Sequence, residues 1–195
     1  MSNKNSHTDR RIFKSKKALK EAIILLMHEK DFKDITIKDM VEAANLNRGT
    51  FYKHYQYKED VLEDIIDEVL TDLIHSYREP YIHIDTFDVN KLTTNSIKIF
   101  EHVHKYSDFY KLIVSSSVLT FFQHKITYAL KELTIQELPV RFPHSNINRE
   151  LIASYHTYAI LGLILELING NFKYSSSYMA EQLLAIIKSN ANLSK

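Results

Sequence analysis

The sequence contains no cysteine, and it has only three glycines and three prolines among its 195 residues. The lack of cysteine excludes disulfide bonds, thiol catalysis and thiolate metal ligands. Because glycine and proline are rare, few positions favour turns, whereas leucine, isoleucine, lysine, glutamate and alanine are plentiful, so the composition predicts long helices. Hydrophobic residues make up 45% of the chain, enough for one large domain or for a small domain joined to a larger one.

Long hydrophobic segments are also missing. The N-terminal residues are polar and basic, so they do not resemble a secretion signal. The longest apolar run, Tyr158–Leu165, is far shorter than the roughly 20 residues that a membrane-spanning helix needs. We therefore expect a soluble cytoplasmic protein with no membrane partner.

The charge is divided unevenly along the chain. Residues 1–60 carry 13 basic and 9 acidic residues, whereas residues 61–195 carry 12 and 15. A basic N-terminal third on an acidic remainder indicates that only the first part contacts a polyanion such as nucleic acid. A solvated basic helix face would give the same composition, so charge alone leaves both interpretations open.

Apolar residues at helical spacing predict three helices within about the first 57 residues. The first helix follows Thr8 or Asp9, either of which can cap it, and carries a single apolar stripe. The second helix is capped by Thr36, and the third begins at Asn47. Two short helices joined by a tight turn have the dimensions of a helix-turn-helix, whose second helix enters the major groove of DNA.

A longer amphipathic helix is predicted from Lys58 to Tyr77, ending near Pro80. Its apolar residues form a stripe two residues wide that recurs every four positions, and its opposite face is acidic. We expect this helix to connect a basic N-terminal domain, residues 1–57, to a larger helical domain, residues 58–195.

The larger domain is predicted to be helical throughout, after a loop over residues 79–90. Pro139 and Pro143 interrupt the pattern, and Gly170 is placed to end a helix in the left-handed conformation. No strand pattern occurs, so the expected fold class is all-α. The predicted helices of this domain are Lys91–Tyr106, Ser107–Ser115, Ser117–Leu138, Asn148–Asn169 and Ser176–Asn190.

The start of the third helix carries the residues that a groove-entering helix requires. Gly49 removes side-chain bulk so that backbone can approach a phosphate, and Arg48 can bond both acceptors of a guanine. Phe51 and Tyr55 lie four residues apart and are expected to face inward, while the tyrosine, lysines and histidine near them can anchor phosphates. The predicted DNA-binding residues are Thr36, Lys38, Asn47, Arg48, Gly49, Thr50, Tyr52, Lys53, His54 and Lys58.

The segment ITIKDMVEAANLNRGTFYKHYQYKEDVL, residues 35–62, closely resembles the DNA-binding signature of the TetR/AcrR family of transcriptional regulators. That signature is a threonine-capped helix, a small residue before the turn, then G-T-aromatic/aliphatic-Y-x-H-aromatic, followed by K-E and a leucine. The resemblance covers about residues 10–65. Asn45 stands where the family usually has a turn glycine, and asparagine tolerates the left-handed conformation. Arg48 stands where many members carry another polar residue, so no operator preference is carried over.

The resemblance implies an all-α homodimer. An N-terminal three-helix helix-turn-helix domain binds a double-stranded DNA operator, and a C-terminal helical body binds a small-molecule effector and dimerises through its last two long helices. The function it favours is a ligand-responsive repressor released from a palindromic operator by a mostly apolar molecule. The alternative is a co-activator or protein-binding module of the same fold that acts through a protein partner.

Tyrosines and histidines among phenylalanines can form an apolar pocket with a few polar points, as is typical of small-molecule sites. Plain core packing is the alternative for each of them. The candidate pocket residues are Phe100, His104, Phe109, Tyr110, Phe122, Tyr128, Tyr155 and Tyr158.

The last two predicted helices are strongly apolar. Gly162 lies within the most apolar run and allows another helix to approach closely, either across a dimer or within the chain. The candidate dimer residues are Leu161, Gly162, Leu165, Met179, Leu183 and Ile187.

The ten histidines do not form a metal-binding or catalytic pattern. His102 and His104 are the tightest pair, but residues two apart diverge by about 200° on a helix. No H-E-x-x-H spacing occurs. We therefore expect no metal, no cofactor and no enzymatic activity.

Overall fold

The computed structural model describes residues 3–81, 91–141 and 148–192, and in these ranges all regular structure is helical, which confirms the all-α prediction. Most of the predicted loop at residues 79–90 lies outside the described residues. The α-helices of the described ranges are α1 Asn3–Glu29, α2 Ile37–Ala43, α3 Arg48–Tyr52, α4 Lys58–Arg78, α5 Ile99–Lys105, α6 Ser107–Val114, α7 Leu119–Arg141, α8 Arg149–Asn169 and α9 Ser176–Asn192.

The chain divides into two compact units. The first, called the head below, contains Met1–Glu68 and also Ser115–Thr120, the connection between α6 and α7. The second, called the body, contains Val69–Val114 and Phe121–Lys195. The sequence-based domain boundary lies between residues 57 and 58, whereas the head of the structure extends to the middle of α4.

The head is built on one apolar core to which each of its helices contributes. Leu19 and Ile23 of α1, Met40 of α2, Phe51 of α3 and Ile66 of α4 are all fully buried. Burial of a side chain of this size stabilises a fold by about 1.5–3 kcal/mol. The apolar stripes read from the sequence are therefore the faces that hold the three short helices and the start of α4 together.

Short polar residues set the boundaries of α2. Thr36 and Asp39 form a capping box, in which the Thr36 hydroxyl accepts from the backbone N–H of Asp39 and the Asp39 carboxylate accepts from the backbone N–H of Thr36. After α2, Asn45 adopts the left-handed conformation, with φ of 51°. Both features confirm the sequence-based expectation.

The carboxylate of Asp64 joins α4 to α1 and to the residues that follow α3. It accepts from the hydroxyl of Tyr55 at 2.6 Å and pairs with Lys16 at 2.8 Å and Lys20 at 3.1 Å. Burial alone would raise the pKa of Asp64, but the hydrogen bonds from Lys16, Tyr55 and Lys20 outweigh it and hold the pKa at about 2. The group is therefore ionised at neutral pH, when it can serve all three partners.

Two predicted helix starts are wrong because short polar side chains compete for the backbone. The first helix begins at Asn3, not after Thr8 or Asp9. The N-terminal stretch is rich in residues that can cap a helix, so capping chemistry cannot select one start. The helix predicted from Lys91 is replaced by a 3₁₀ turn at Thr94–Ser96 followed by α5, since Ser96 Oγ accepts from the backbone N–H of Thr93.

Two predicted helix ends also differ. α7 continues through Pro139 to Arg141, because a proline removes one backbone donor but does not prevent a last turn. Gly170 has φ of −74°, and the left-handed residues are Asn171 and Phe172, with φ of 51° and 58°. Gly170 is required for space instead, since a Cβ there would lie 2.9 Å from the carbonyl oxygen of Glu166.

A buried polar network crosses the body. His102, which is only 2% exposed, is bonded through Nδ1 to a carboxylate oxygen of Asp72 at 2.8 Å and through Nε2 to the hydroxyl of Tyr110 at 3.1 Å. Burial lowers the pKa of His102 even though Asp72 opposes this shift. A neutral ring that donates from Nδ1 to Asp72 and accepts at Nε2 from Tyr110 satisfies every partner. His102 is thus a satisfied core residue.

α8 is the most apolar helix of the described residues. By length and composition it could cross a membrane, although a core helix of a soluble protein passes the same test, and 33% of the most apolar window is buried within the chain. The uninterrupted apolar run Tyr158–Leu165 did not indicate this property, because polar residues interrupt the apolar sequence of α8 on either side of that run. The remaining apolar surface of α8 is covered by nothing in the described part of the chain.

Candidate functional site

Asn47 fixes the start and the orientation of α3. Its side-chain oxygen accepts from the backbone N–H of Thr50 at 2.8 Å and from the Thr50 hydroxyl at 3.2 Å. Phe51, one turn after Asn47, is fully buried. Tyr55, beyond the end of α3, is 7% exposed. Both values confirm the inward orientation predicted for these two residues. These contacts leave the opposite side of α3 at the surface.

The exposed side of α3 is basic and aromatic. Arg48, Gly49, Tyr52 and Lys53 are all exposed, and 60% of Tyr52 is accessible. Neither Arg48 nor Lys53 forms an ion pair with another described residue. Two cations and a phenol hydroxyl are therefore available to an anion, on a helix whose opposite side is packed against the head through Phe51.

Gly49 lies close to the cap of α3. A Cβ at this position would come within 3.2 Å of Asn47 Oδ1, a contact tighter than most side chains make. A larger residue would thus crowd the atom that caps the helix and would also cover the backbone at its start.

α2 adds a second group of exposed polar residues. Thr36 caps α2 and Lys38 lies in its first turn, and both are exposed. Lys38 is 3.8 Å from Glu42, and an exposed pair of this kind contributes little to stability. Its ammonium can therefore leave Glu42 for a phosphate at small cost.

Lys58 does not present a free ammonium, contrary to its predicted role as a phosphate anchor. Its Nζ donates to the carbonyl oxygens of Phe32 at 2.7 Å, Lys33 at 3.0 Å and Ile35 at 2.7 Å. An ammonium has three N–H donors, and here each has a backbone acceptor. Lys58 instead ties the first turn of α4 to the 3₁₀ turn at Phe32–Asp34.

His54 is also turned inward. Its Nε2 lies 2.8 Å from the hydroxyl oxygen of Ser15 on α1, and the same hydroxyl donates to the carbonyl of Arg11 at 2.8 Å. Because the single hydroxyl proton goes to that carbonyl, His54 Nε2–H is the donor to Ser15. Burial, together with Lys16 and Lys53, lowers the pKa of His54 and favours this neutral form. His54 thus attaches the residues that follow α3 to α1, and its Nε2 is not free to contact a phosphate.

The candidate pocket residues do not form one cluster. Phe100, Tyr110 and Phe122 are buried in the body, and Tyr110 and Phe122 meet edge to face at 5.7 Å. Phe109 is half-buried beside Phe122, and half-buried His104 is bonded through Nε2 to the carbonyl of Tyr174. The remaining three lie at the surface, contrary to an interior pocket, with exposed fractions of 70%, 61% and 63% for Tyr128, Tyr155 and Tyr158.

The candidate dimer residues also separate into two groups. Leu161, Met179 and Leu183 are buried within the chain, so they pack the body itself. Leu165 and Ile187 are partly exposed, and Gly162 is exposed, with no described atom within 4 Å of the place that a Cβ would occupy. Gly162 therefore does not serve close packing within the chain, one of the two roles left open for it.

Sequence reasoning missed two polar side chains. Ser15 is 8% exposed and holds His54, and Thr157 on α8 is 2% exposed with a hydroxyl that has no hydrogen-bond partner among the described residues. Both lie on apolar faces at helical spacing, four residues before Leu19 and Leu161 respectively. A polar residue within an apolar stripe was thus the available signal. The described residues contain no group of side chains that could hold a metal ion.

Two family models match the chain. The one described as bacterial regulatory proteins, tetR family, matches residues 21–65, which include α2 and α3. The one described as transcriptional regulator C-terminal region matches residues 90–189, which include most of the body.

Two curated relatives share part of the sequence. The uncharacterized HTH-type transcriptional regulator YxbF of Bacillus subtilis (strain 168) is 21% identical over 169 residues, which are 87% of this chain and 43% of that protein. The HTH-type transcriptional repressor KstR2 of Rhodococcus jostii (strain RHA1) is 33% identical over 54 residues, which are 28% of this chain and 26% of that protein. The chain thus spans less than half the length of either relative.

Solved structures share the fold along most of the chain. A TetR transcriptional regulator from Streptococcus agalactiae 2603V superposes with a TM-score of 0.69 at 21% identity, covering 94% of this chain and 98% of that one. The dihydroxyacetone kinase operon activator DhaS gives a TM-score of 0.61 at 19% identity, covering 92% and 97%.

Replacement of Lys58 tests whether its ammonium supports the head or contacts DNA. We expect Lys58→Met to lower the free energy of unfolding by about 1–3 kcal/mol, because backbone carbonyls lose charged donors. Lys53→Gln, a matched loss of charge at the exposed surface, should change it by less than about 0.5 kcal/mol. Urea denaturation of both variants measures the difference, and equal stabilities would contradict this role for Lys58.

Proposed function

We propose a function from the premise that this chain belongs to the tetR family of bacterial transcriptional regulators. It is a regulator that binds DNA, not an enzyme. Our proposal is that the head binds a specific double-stranded operator in the cytoplasm, that two copies of the chain act together, and that a small molecule bound in the body controls the complex.

The exposed side of α3 is the observation that carries the proposal. A helix of this kind enters the major groove with its N-terminal residues at base edges. Arg48 is exposed at that end and has no ion-pair partner among the described residues, so it is placed to bond a guanine. Tyr52, Lys53 and, from α2, Lys38 then contact phosphates on either side.

The remaining predicted DNA-binding residues have supporting positions in this proposal. Asn47 and Thr50 spend part of their hydrogen-bonding capacity on the cap of α3, and Thr36 spends part of its own on the cap of α2. His54 and Lys58 stabilise the orientation of α3 through contacts with the rest of the head. We therefore assign them to the geometry of the interface and not to its affinity.

A symmetric homodimer is supported by exposed apolar faces on the last two helices. On α8, Leu151, Tyr155 and Tyr158 are 68%, 61% and 63% exposed, and they recur at helical spacing with exposed Gly162. On α9, Ile186 is 47% exposed. A second copy would cover these side chains, and two heads related by symmetry would require a palindromic operator.

A small-molecule effector is supported by Thr157. Its hydroxyl is buried without a partner among the described residues, which costs about 1–3 kcal/mol unless a bound molecule or water supplies one. The aromatic core residues of the same body, with one polar point, fit a mostly apolar ligand that carries a hydrogen-bonding group. A ligand of this kind shifts operator binding only by its differential affinity for the free and bound states.

Repression is our first proposal for the sign of regulation, because the relative KstR2 is a repressor. Activation is the second candidate, since DhaS is an operon activator and shares the fold over most of the chain. A promoter–reporter assay separates them: expression falls when a repressor is supplied and rises with an activator. If expression responds while purified protein binds no DNA, the regulator acts through a protein partner.

Arg48→Ala tests whether α3 recognises a base through Arg48. DNA selected by the wild-type protein from a random pool supplies the operator, and binding is then measured on this site and on its single-base variants. We expect the variant to lose about 1–3 kcal/mol on the selected site and to become indifferent to the base at one position. Lys53→Ala is the control, because removal of a phosphate anchor should weaken all sequences alike. Full specificity in Arg48→Ala would contradict the assignment.

Tyr158→Glu tests the dimer. Sedimentation of the wild-type protein at micromolar concentration should show a dimer. The dissociation constant of the dimer should rise by at least about 100-fold in the variant, because a carboxylate would have to be buried in the interface. Tyr57→Glu makes the same change at an exposed tyrosine of the head and should leave the dimer intact. A monomeric wild-type protein would rule the dimer out.

Thr157→Val tests the unpartnered hydroxyl. Valine has nearly the same shape and no polar group, so the free protein should become more stable by about 1 kcal/mol, which thermal denaturation would detect. An effector that bonds this hydroxyl should then bind the variant more weakly and release the operator less well. A loss of stability in Thr157→Val would show that the hydroxyl is already satisfied and would remove this support for the effector site.

A further inference from the structure

α1 extends beyond the packed part of the head. Ser15 is 8% exposed and Leu19 is fully buried, and these residues face the other helices of the head. One turn earlier on the same face, Arg11 and Ile12 are both exposed, Ile12 to 41%. The described head therefore ends at the level of Ser15, and the preceding turn of α1 projects past it.

The projecting turn lies beside the residues that follow α3. Ser15 is in contact with His54 at 2.8 Å, and the residue before His54 is Lys53, one of the exposed cations of the DNA-facing surface. Side chains four residues apart stack on one face of a helix, about 6 Å apart along the axis. Arg11 is thus placed directly beyond the contact between Ser15 and His54.

The projecting turn is strongly basic. Residues 10–20 contain six lysines and arginines and no acidic residue. Lys16 and Lys20 pair with Asp64, and Lys17 lies 3.7 Å from Glu21. The three cations that precede them, Arg10, Arg11 and Lys14, are exposed and have no carboxylate partner among the described residues. Like charges this close are disfavoured unless a polyanion neutralises them.

We infer that residues 10–14, called the α1 arm, form a second DNA contact that binds the sugar–phosphate backbone beside the groove entered by α3. This inference rests on the proposed function of the head. Arg11 and Lys14 supply charge to phosphates, with Arg10 at the outer end of the arm. Contacts of this type raise affinity for every sequence alike and carry no base specificity.

The double variant Arg11→Gln/Lys14→Gln tests the arm. Glutamine keeps the helix, because its helix propensity is close to that of lysine and arginine, and both positions are exposed. The control is Lys91→Gln/Lys98→Gln, which removes two charges from the body, one at exposed Lys91 and one at Lys98, which is paired with Glu101. Binding of each protein to the selected operator and to a shuffled duplex is measured between 50 and 200 mM salt, with circular dichroism as the check on folding.

Removal of each cation that neutralises a phosphate should reduce the salt slope by about 0.9. For each head bound, the wild-type protein should therefore lose about 12-fold more affinity than the double variant as salt rises from 50 to 200 mM. At low salt the double variant should bind both duplexes more weakly, by the same factor, so that the ratio of the two affinities is unchanged. The control should keep the wild-type slope.

The outcomes distinguish a failure of the α1 arm from a failure of DNA recognition by the head. A double variant with the slope and affinity of the control would overturn the α1 arm while leaving the reading role of α3 intact. A double variant that changes the ratio of the two affinities would also overturn it, since the arm would then read bases. If the wild-type protein binds neither duplex at low salt, both the arm and DNA recognition by the head are wrong.

Discussion

The hydrogen bonds of the Lys58 ammonium are the contacts on which the geometry of the head depends most. Its three donors bind three carbonyl groups of one short turn, and its charge lies 4.6 Å from the centre of the Phe32 ring. That turn precedes α2, and Lys58 itself begins α4, so α2 and α3 lie between two segments held by one side chain. α3 is only five residues long and could not hold its own shape in water. Its orientation therefore comes from these surrounding contacts and from the burial of Phe51.

Some polar groups in this protein are satisfied within the fold, and others have no hydrogen-bond or ion-pair partner among the described residues. Asp64 and His102 each bond two or more groups within the chain, and Nε2 of His54 is bonded to Ser15. Arg48 on the exposed side of α3 and Thr157 inside the body lack such partners among the described residues. Exposure alone would not separate these classes, because His102 and Thr157 are equally buried. Hydrogen-bond accounting does separate them.

Much of the fold could be predicted from sequence, because periodicity reports which face of a helix is buried. The starts of α2 and α3, the left-handed Asn45 and the inward Phe51 and Tyr55 all follow from local rules of capping, turn geometry and amphipathicity. The errors in the candidate site concern partners that are distant in sequence. Lys58 finds its carbonyls more than 20 residues away, and nothing in its own surroundings distinguishes it from exposed Lys53. Likewise, Leu183 and Ile186 are both apolar residues of one helix, and only packing decides which one is free.

The head is assembled from two separate pieces of the chain. Residues 115–120 return to it between α6 and α7, where Ser117 donates a hydrogen bond to the carboxylate of Asp31 and Val118 is buried. Asp31 also caps the turn that Lys58 holds, through the backbone N–H of Lys33. A single genetic crossover after Glu68 would therefore transfer an incomplete head, without the hydroxyl that meets Asp31. Exchange of DNA specificity between related regulators would have to carry this short return segment as well, or replace the residues on α3 without moving the rest.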